Sequence, residues 1–136
     1  MTTSRCISRV RVRYAETDKM GVVYYANYLV WFEVGRTDLL RQTGMTYRDM
    51  ESEGLALPVI EARCTYRIPA RYDDDLEIRT EATMLSPVRV RFDYEVTRAG
   101  DQAVLADGHT VHAALDSVGK PRRLPDRVRA VLGARR

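Results

Sequence analysis

Alternation between apolar and polar side chains, with a period of two residues, is the pattern that most constrains the fold of this chain. It is clearest around Phe92, where apolar residues at even positions alternate with mostly charged residues at odd positions. Successive side chains of a strand point to opposite faces, so each such segment has one apolar face and one wet face. The alternation predicts five strands, at residues 9–14, 60–68, 76–84, 88–97 and 102–116. We expect the fifth strand to bend near Gly108.

The third and fourth strands constrain the turn that joins them. Both carry their apolar residues at even positions, so a two-residue loop at residues 86–87 would turn one strand inside out. We therefore expect a loop of odd length, or a bulge. A three-residue loop would set Arg79 opposite Asp93. The same register would set Glu81 opposite Arg91.

One segment has the pattern of a helix rather than a strand. A helix is predicted from Asn27 to about residue 43, with Asn27 as its N-cap, Arg41 in its last turn and Gly44 at its end. Its first turns read YLVWF and are apolar on nearly all sides, so we expect an enclosed helix. Shorter helices are predicted at residues 47–53 and 126–132.

The order of these elements predicts the architecture. A strand, a long helix and four further strands fit an α+β fold in which one curved five-stranded antiparallel sheet wraps around one long apolar helix. The 136 residues carry no internal repeat or linker, so a single domain covers residues 1–136.

Composition excludes several classes of protein. With 45% hydrophobic and 30% charged residues, the chain is not disordered. No apolar run approaches the roughly 18 residues that a membrane span requires, and residues 1–13 lack the apolar core of an export signal. We therefore expect a cytoplasmic protein in which Cys6 and Cys64 are reduced, buried thiols.

The charge pattern argues against a nucleic-acid partner. The chain has 22 basic and 19 acidic residues, a formal net charge of +3, and the two signs are interleaved. All basic residues except Lys19 and Lys120 are arginines, which favour paired hydrogen bonds to phosphates and carboxylates. The pattern predicts a mixed solvated surface and leaves a phosphate-bearing ligand open.

The segment before the helix is less polar than a surface loop. It reads YAETDKMGVVYYAN over residues 14–27 and places Asp18 a few residues before the helix start. Free amide N–H groups at a helix start can stabilise the oxyanion that forms when an acyl carbonyl is attacked. A carboxylate facing them could act as nucleophile or as general base. The alternative is that Asp18 only bonds local amides in a turn.

Residues 14–44, YAETDKMGVVYYANYLVWFEVGRTDLLRQTG, resemble the signature of the 4-hydroxybenzoyl-CoA thioesterase family of hotdog-fold proteins. The chain is similar also to the Tol-Pal-associated acyl-CoA thioesterases, and the likeness continues to SVGKPRRLP near the C-terminus. The resemblance implies a hotdog fold and hydrolysis of acyl-CoA thioesters without a metal or other cofactor. It also implies homodimers, often paired into homotetramers, with active sites at the dimer interface.

The resemblance also implies roles for individual residues. Asp18 matches the catalytic carboxylate, and Tyr25 matches the position whose backbone N–H polarises the thioester carbonyl. Tyr24, Asn27 and Tyr28 match motif positions around the helix start and are predicted to bind substrate. The Tol-Pal-associated branch usually has histidine where this chain has Tyr25, whereas the 4-hydroxybenzoyl-CoA branch has an aromatic residue, so the substrate branch stays open.

Basic residues outside this motif are candidates for the coenzyme A phosphates. Arg89 and Arg91 are predicted to bind substrate in this way. Further candidates near the C-terminus are Lys120, Arg122 and Arg123.

Other reactive side chains are interpreted as structural. Glu33 could be a second carboxylate, but an ion pair with Arg36 is preferred. His109 and His112 lie on opposite faces of a strand and cannot bind one metal together. Cys64 has no histidine near it in sequence, so a thiol nucleophile is not expected.

Three alternatives to an acyl-CoA thioesterase stay open. A hydratase would need histidine about five residues after the carboxylate, where this chain has Val23. A thioesterase could instead act on an acyl-carrier protein. The chain could also be a non-catalytic module that binds acyl-CoA. The acyl group and the choice between dimer and tetramer are not predicted.

Overall fold

The computed structural model describes residues 4–133. The strands are β1 (Ser4–Arg11), β2 (Val59–Tyr66), β3 (Asp75–Ser86), β4 (Arg89–Arg98) and β5 (Val104–Ala113). They form one antiparallel sheet in the order β1–β3–β4–β5–β2. The α-helices are α1 (Asn27–Gln42), α2 (Tyr47–Ser52) and α3 (Asp126–Gly133). The predicted α+β class and five-stranded antiparallel sheet are confirmed. Over residues 4–133, no helix is long and apolar enough to cross a membrane.

The core lies between one face of the sheet and α1. Even-numbered residues of β3 and β4, among them Ile78 and Phe92, are buried on this inner face. From the helix, Phe32 stacks on Tyr94 of β4, with ring centroids 4.2 Å apart and planes at 5°. Odd-numbered residues of the two strands, mostly charged, form the outer face. The sequence therefore predicted correctly which side of each central strand is apolar.

The first strand lies earlier in the chain than predicted. Instead of residues 9–14, β1 covers Ser4–Arg11 and is followed by a 3-10 turn at Tyr14–Glu16. The Glu16 carboxylate closes this turn by accepting a hydrogen bond from the Arg13 N–H at 2.7 Å. Alternation continues in sequence to Tyr14, but this local bond ends the strand.

The predicted environment of the long helix is not confirmed. The sheet covers one side of α1, while Leu29 and Val30 on the other side are 41% and 51% exposed. Within a single chain, α1 is thus not enclosed, because apolar residues on one of its sides are exposed.

The predicted cap of this helix is wrong. Ala26 occupies the N-cap position, and Asn27 is already helical. The Asn27 side chain instead donates a hydrogen bond from Nδ2 to the Glu16 carbonyl, at 2.9 Å. The side-chain amide that was predicted to cap the helix is therefore bonded to Glu16, eleven residues earlier in the chain.

The turn between β3 and β4 contains the predicted bulge, between Met84 and Ser86. Because the two-residue turn follows directly, the register differs by two residues from the one expected, and both predicted charge pairs are wrong. Arg79 lies opposite Glu95. Glu81 lies opposite Asp93, and the Arg5 Nε pairs with the Glu81 carboxylate at 2.7 Å.

Candidate active site

Hydrogen bonds fix the segment between β1 and α1 against the rest of the chain. The Val23 N–H donates to the Ala70 carbonyl at 2.9 Å, and the Tyr24 N–H donates to the Glu16 carbonyl at 2.8 Å. The Asn27 side chain shares this Glu16 acceptor. The start of α1 is therefore held in place from two directions.

Asp18 forms a tight turn with the residues that follow it. Its Oδ1 accepts hydrogen bonds from the N–H groups of Met20, at 2.8 Å, and Val22, at 3.4 Å. Gly21 adopts a positive φ of 82° in this turn, and its N–H donates to the Asp18 carbonyl at 3.0 Å. No hydrogen bond from residues 4–133 reaches Oδ2. Oδ1 thus stabilises the turn, whereas Oδ2 is available to react with a substrate or a water molecule.

Asp18 lines a cleft of about 300 Å³ beside the start of α1. The turn after β1, the start of α1 and the end of β2 all contribute walls to this cleft. Its lining includes Asp18, Val22, Tyr25, Tyr28, Tyr66 and Ile68. The structure therefore brings the two residues with predicted chemical roles, Asp18 and Tyr25, into one largely apolar cleft.

The amides that precede α1 are open. Among the residues that the structure describes, no acceptor bonds the N–H of Tyr25 or Ala26. Both residues lie at the N-terminal end of α1, where the aligned peptide dipoles give a partial positive charge. Asp18 and Tyr25, a carboxylate and a residue with an open amide, line one cleft. Such an arrangement can attack a carbonyl group and stabilise the resulting oxyanion.

The other predicted residues of the motif take different places. Tyr28 lies at the cleft and is buried, and its hydroxyl accepts a hydrogen bond from the Ala70 N–H at 3.0 Å. Burial raises the pKa of Tyr28, so the hydroxyl stays protonated. Tyr24 lies beside the Tyr25 ring, with centroids 4.8 Å apart, but outside the cleft lining. Asn27 bonds Glu16, as described above.

The two predicted phosphate-binding arginines lie away from this cleft. Arg89 is exposed at the start of β4. Arg91 belongs to the outer face of the same strand, where its Nη2 pairs with the Asp93 carboxylate at 2.9 Å. Within one chain, neither arginine is brought together with Asp18.

The predicted ion pair between Glu33 and Arg36 is wrong. Arg36 lies on the inner side of α1 and donates hydrogen bonds to the hydroxyls of Tyr47, at 3.3 Å, and Tyr94, at 3.4 Å. Glu33 is exposed on the other side of the helix. Side chains three residues apart on a helix usually lie close together. Here, hydrogen bonds to Tyr47 and Tyr94 hold the Arg36 side chain on the inner side of α1, away from Glu33.

A directed chain of hydrogen bonds continues from Arg36 through the core. Burial lowers the pKa of His112 to about 4, so its ring is neutral. Its Nδ1 lies 2.9 Å from the Leu57 carbonyl and therefore carries the proton, which leaves Nε2 to accept from the Thr110 hydroxyl at 2.9 Å. The Tyr94 hydroxyl then donates to Thr110 at 2.6 Å and accepts from Arg36.

The second histidine lies on the opposite face of β5, as predicted. His109 Nε2 and Glu61 Oε2 are 2.5 Å apart on the outer face. In the described part of the chain, no group of three or more His, Cys, Asp or Glu residues could hold a metal ion. Cys6 and Cys64 are free thiols, the first buried and the second half-buried.

Sequence reasoning missed the contribution of β2 to the site. Tyr66 and Ile68 line the cleft, whereas the alternation over residues 60–68 predicts only that they belong to the apolar face of a strand. That this apolar face continues to the end of the strand is the one sequence signal for the contact, because a residue at a strand end can contact a neighbouring loop.

Comparison with known proteins defines the family. The chain belongs to the thioesterase-like superfamily, which matches residues 12–132. It is 40% identical over 98 residues to the putative acyl-CoA thioesterase YneP of Bacillus subtilis, covering 71% of each chain. It is 35% identical over 117 residues to the acyl-CoA thioester hydrolase YbgC of Escherichia coli O157:H7, covering 85% of this chain and 87% of that one.

A solved structure supports the same fold. Slr0204, a 1,4-dihydroxy-2-naphthoyl-CoA thioesterase from Synechocystis, superposes with a TM-score of 0.89 at 26% identity and covers 94% of this chain and 95% of its own. The predicted hotdog fold is confirmed at this level.

Proposed function

We propose that the chain hydrolyses acyl-CoA thioesters to a free acid and coenzyme A. The observation that carries this proposal is the position of the Asp18 carboxylate in the same cleft as Tyr25 at the start of α1. One of its oxygens accepts no hydrogen bond from residues 4–133. The named activities of YneP and YbgC support the substrate class. Within the superfamily, the motif at residues 14–44 favours the 4-hydroxybenzoyl-CoA thioesterase family.

The proposed reaction uses two groups of the chain and requires no cofactor. Asp18 attacks the thioester carbonyl carbon, or removes a proton from the water that attacks it. The carbonyl oxygen becomes an oxyanion and accepts a hydrogen bond from the Tyr25 N–H. The carbon–sulfur bond then breaks and coenzyme A leaves as a thiolate. In the first route, water hydrolyses the acyl anhydride on Asp18; in both routes, the acid is released.

Release of free thiol tests this function. A panel of aromatic, short-chain and long-chain acyl-CoA thioesters is expected to include at least one that the protein hydrolyses with saturation kinetics. A thioether analogue, which cannot be hydrolysed, measures binding separately. Tight binding of the analogue without thiol release from any thioester would identify a non-catalytic binding module. Release confined to acyl-carrier-protein substrates would identify the other thioesterase class.

The edge of the sheet favours a homodimer. Within residues 4–133, β2 pairs only with β5, so its other side has unpaired backbone groups. Apolar side chains along and after this edge are between 43% and 48% exposed, namely Val59, Ile60, Tyr66 and Ile68. Exposed apolar edge strands are surfaces that pair with other chains. We infer that a second copy covers β2 and closes the cleft; two dimers could pair further into a tetramer.

A charge on this edge is expected to separate the dimer. Ile60→Lys would bury an unpaired ammonium group between the two copies, which costs several kcal/mol. Light scattering after gel filtration should show that the mass of Ile60→Lys is half that of the wild type, which is 15.6 kDa when the wild type is a dimer, together with loss of hydrolysis. Ile7→Lys is the matched control, since Ile7 lies on the opposite edge strand, β1, and is 59% exposed, compared with 48% for Ile60. An Ile60→Lys variant that keeps the wild-type mass would place the interface elsewhere.

A further inference from the structure

Tyr66 has no role in the chemistry proposed above, yet it contacts the start of α1 directly. From the end of β2, its hydroxyl donates a hydrogen bond to the Tyr25 carbonyl at 3.1 Å. Its ring meets those of Tyr25 and Tyr28 edge-on, with centroids 6.3 Å and 5.1 Å apart. The residue therefore links the edge strand to the residue whose N–H is the proposed oxyanion donor.

This link is the long-range restraint on Tyr25. Its carbonyl also accepts from the Tyr28 N–H, but at 3.3 Å and within the same helical turn. Among residues 4–133, the Tyr66 hydroxyl is the only hydrogen-bond partner of the Tyr25 backbone from outside that turn. The Tyr25 carbonyl and the Ala26 N–H belong to one planar peptide group, so this hydrogen bond fixes that group. Through the Cα of Tyr25 it also restrains the preceding peptide group, which carries the Tyr25 N–H.

We infer that Tyr66 is a positioning residue for thioester hydrolysis: its hydroxyl holds the Tyr25–Ala26 peptide group at the start of α1, and this restrains the adjoining Tyr25 N–H so that it stays directed at the developing oxyanion. The inference rests on the proposed function. An oxyanion donor is effective only when it is already oriented before the reaction, and small displacements cost rate rather than binding.

The hydroxyl is suited to act as a permanent donor. Burial, followed by the neighbouring Cys64, raises the pKa of Tyr66 to about 12. The proton therefore stays on the oxygen well above neutral pH, where the hydroxyl can still donate its hydrogen bond to Tyr25.

Tyr66→Phe tests the inference because it removes the hydroxyl and keeps the ring contacts. With the best acyl-CoA of the panel, kcat is expected to fall about tenfold while KM changes by less than about twofold. The control is Tyr72→Phe, an exposed tyrosine outside the cleft, which should keep both constants. Fluorescence of Trp31, the single tryptophan, verifies that each variant is folded.

A spectroscopic measurement tests the hydrogen bond without activity. Protein labelled with ¹³C at the tyrosine carbonyls gives eight signals, and the one that is lost in Tyr25→Phe belongs to Tyr25. In Tyr66→Phe, this signal should move upfield, as carbonyl carbons do when they lose a hydrogen bond. An unchanged signal would overturn the inference.

The kinetic outcomes separate the inference from the proposed function. An Asp18→Asn variant that keeps its activity contradicts the proposed function itself. If Asp18→Asn is inactive but Tyr66→Phe has the wild-type kcat, only the positioning role is rejected. A raised KM with unchanged kcat would reject it too, because Tyr66 would then contact the substrate in the ground state.

Discussion

Asp18→Asn is expected to lower acyl-CoA hydrolysis by about a thousandfold or more, which is within the range lost with a catalytic acid or base. Asparagine has the same shape, and its amide oxygen can still accept the hydrogen bond that Met20 donates to Oδ1. The turn therefore survives, whereas the negative charge needed for attack or proton removal is lost. The fold and the oligomer should be unchanged.

The chain contains a matched control for this substitution. Asp116 forms the same turn: its Oδ1 accepts from the N–H groups of Val118, at 3.0 Å, and Lys120, at 2.9 Å. Gly119 has the positive φ of 87° that corresponds to Gly21 in the first turn. Asp116 does not line the cleft. Asp116→Asn should therefore hydrolyse acyl-CoA at the wild-type rate.

Thiol release and thermal unfolding, measured on both variants, decide between the two roles of Asp18. If both variants turn over normally, Asp18 is only a turn residue. If both variants unfold at a lower temperature than the wild type, the turns contribute to stability, and the chemical role of Asp18 needs other evidence. Only a selective loss of turnover in Asp18→Asn supports the catalytic carboxylate.

Gly108→Ala is expected to destabilise the protein by about 3 kcal/mol, the upper end of the usual cost of overpacking. A Cβ at this position would lie 2.0 Å from the Arg63 carbonyl oxygen and 3.0 Å from the Cys64 Cα. Both atoms belong to the backbone of β2, so the whole edge strand must shift. The strand carries Tyr66 to the cleft, and hydrolysis should fall with stability.

Gly100→Ala is the control for the loss of a glycine. In the described part of the chain, nothing lies within 4 Å of a Cβ at Gly100, and the residue is exposed in the turn after β4. Its free energy of unfolding should change by less than about 0.5 kcal/mol. Urea titration followed by Trp31 fluorescence measures both variants. Equal midpoints for the two would contradict the close approach of β5 and β2.

Local sequence patterns predicted much of the fold, and the predictions that were wrong have a common physical cause. The faces of β3 and β4 could be predicted because alternation reports burial directly. The cap at Asn27 and the ion pair of Arg36 could not, because each depends on a partner from another element. Glu16 takes the Asn27 amide, and Tyr94 takes the Arg36 guanidinium.

The same distinction, between local patterns and contacts from other elements, applies to the residues of the candidate site. Asp18 and Tyr25 lie in one contiguous segment, so the motif alone could predict both of them as candidates, and they line one cleft. Tyr66 is 41 residues from Tyr25 in sequence and meets it only because β2 is the edge strand next to β5. Nothing in the pattern of residues 60–68 specifies which loop that edge will face.

The hydrogen bonds of Arg36 also help to fix the rotation of α1 about its own axis. Its guanidinium bonds the Tyr47 and Tyr94 hydroxyls in one orientation of the helix, and a turn about the helix axis would break both hydrogen bonds. Because an α-helix is stiff, this setting is transmitted about 15 Å along its axis to Ala26. The direction in which the first amides point is thus restrained from nearly three turns away, in addition to the hydrogen bonds at the helix start itself.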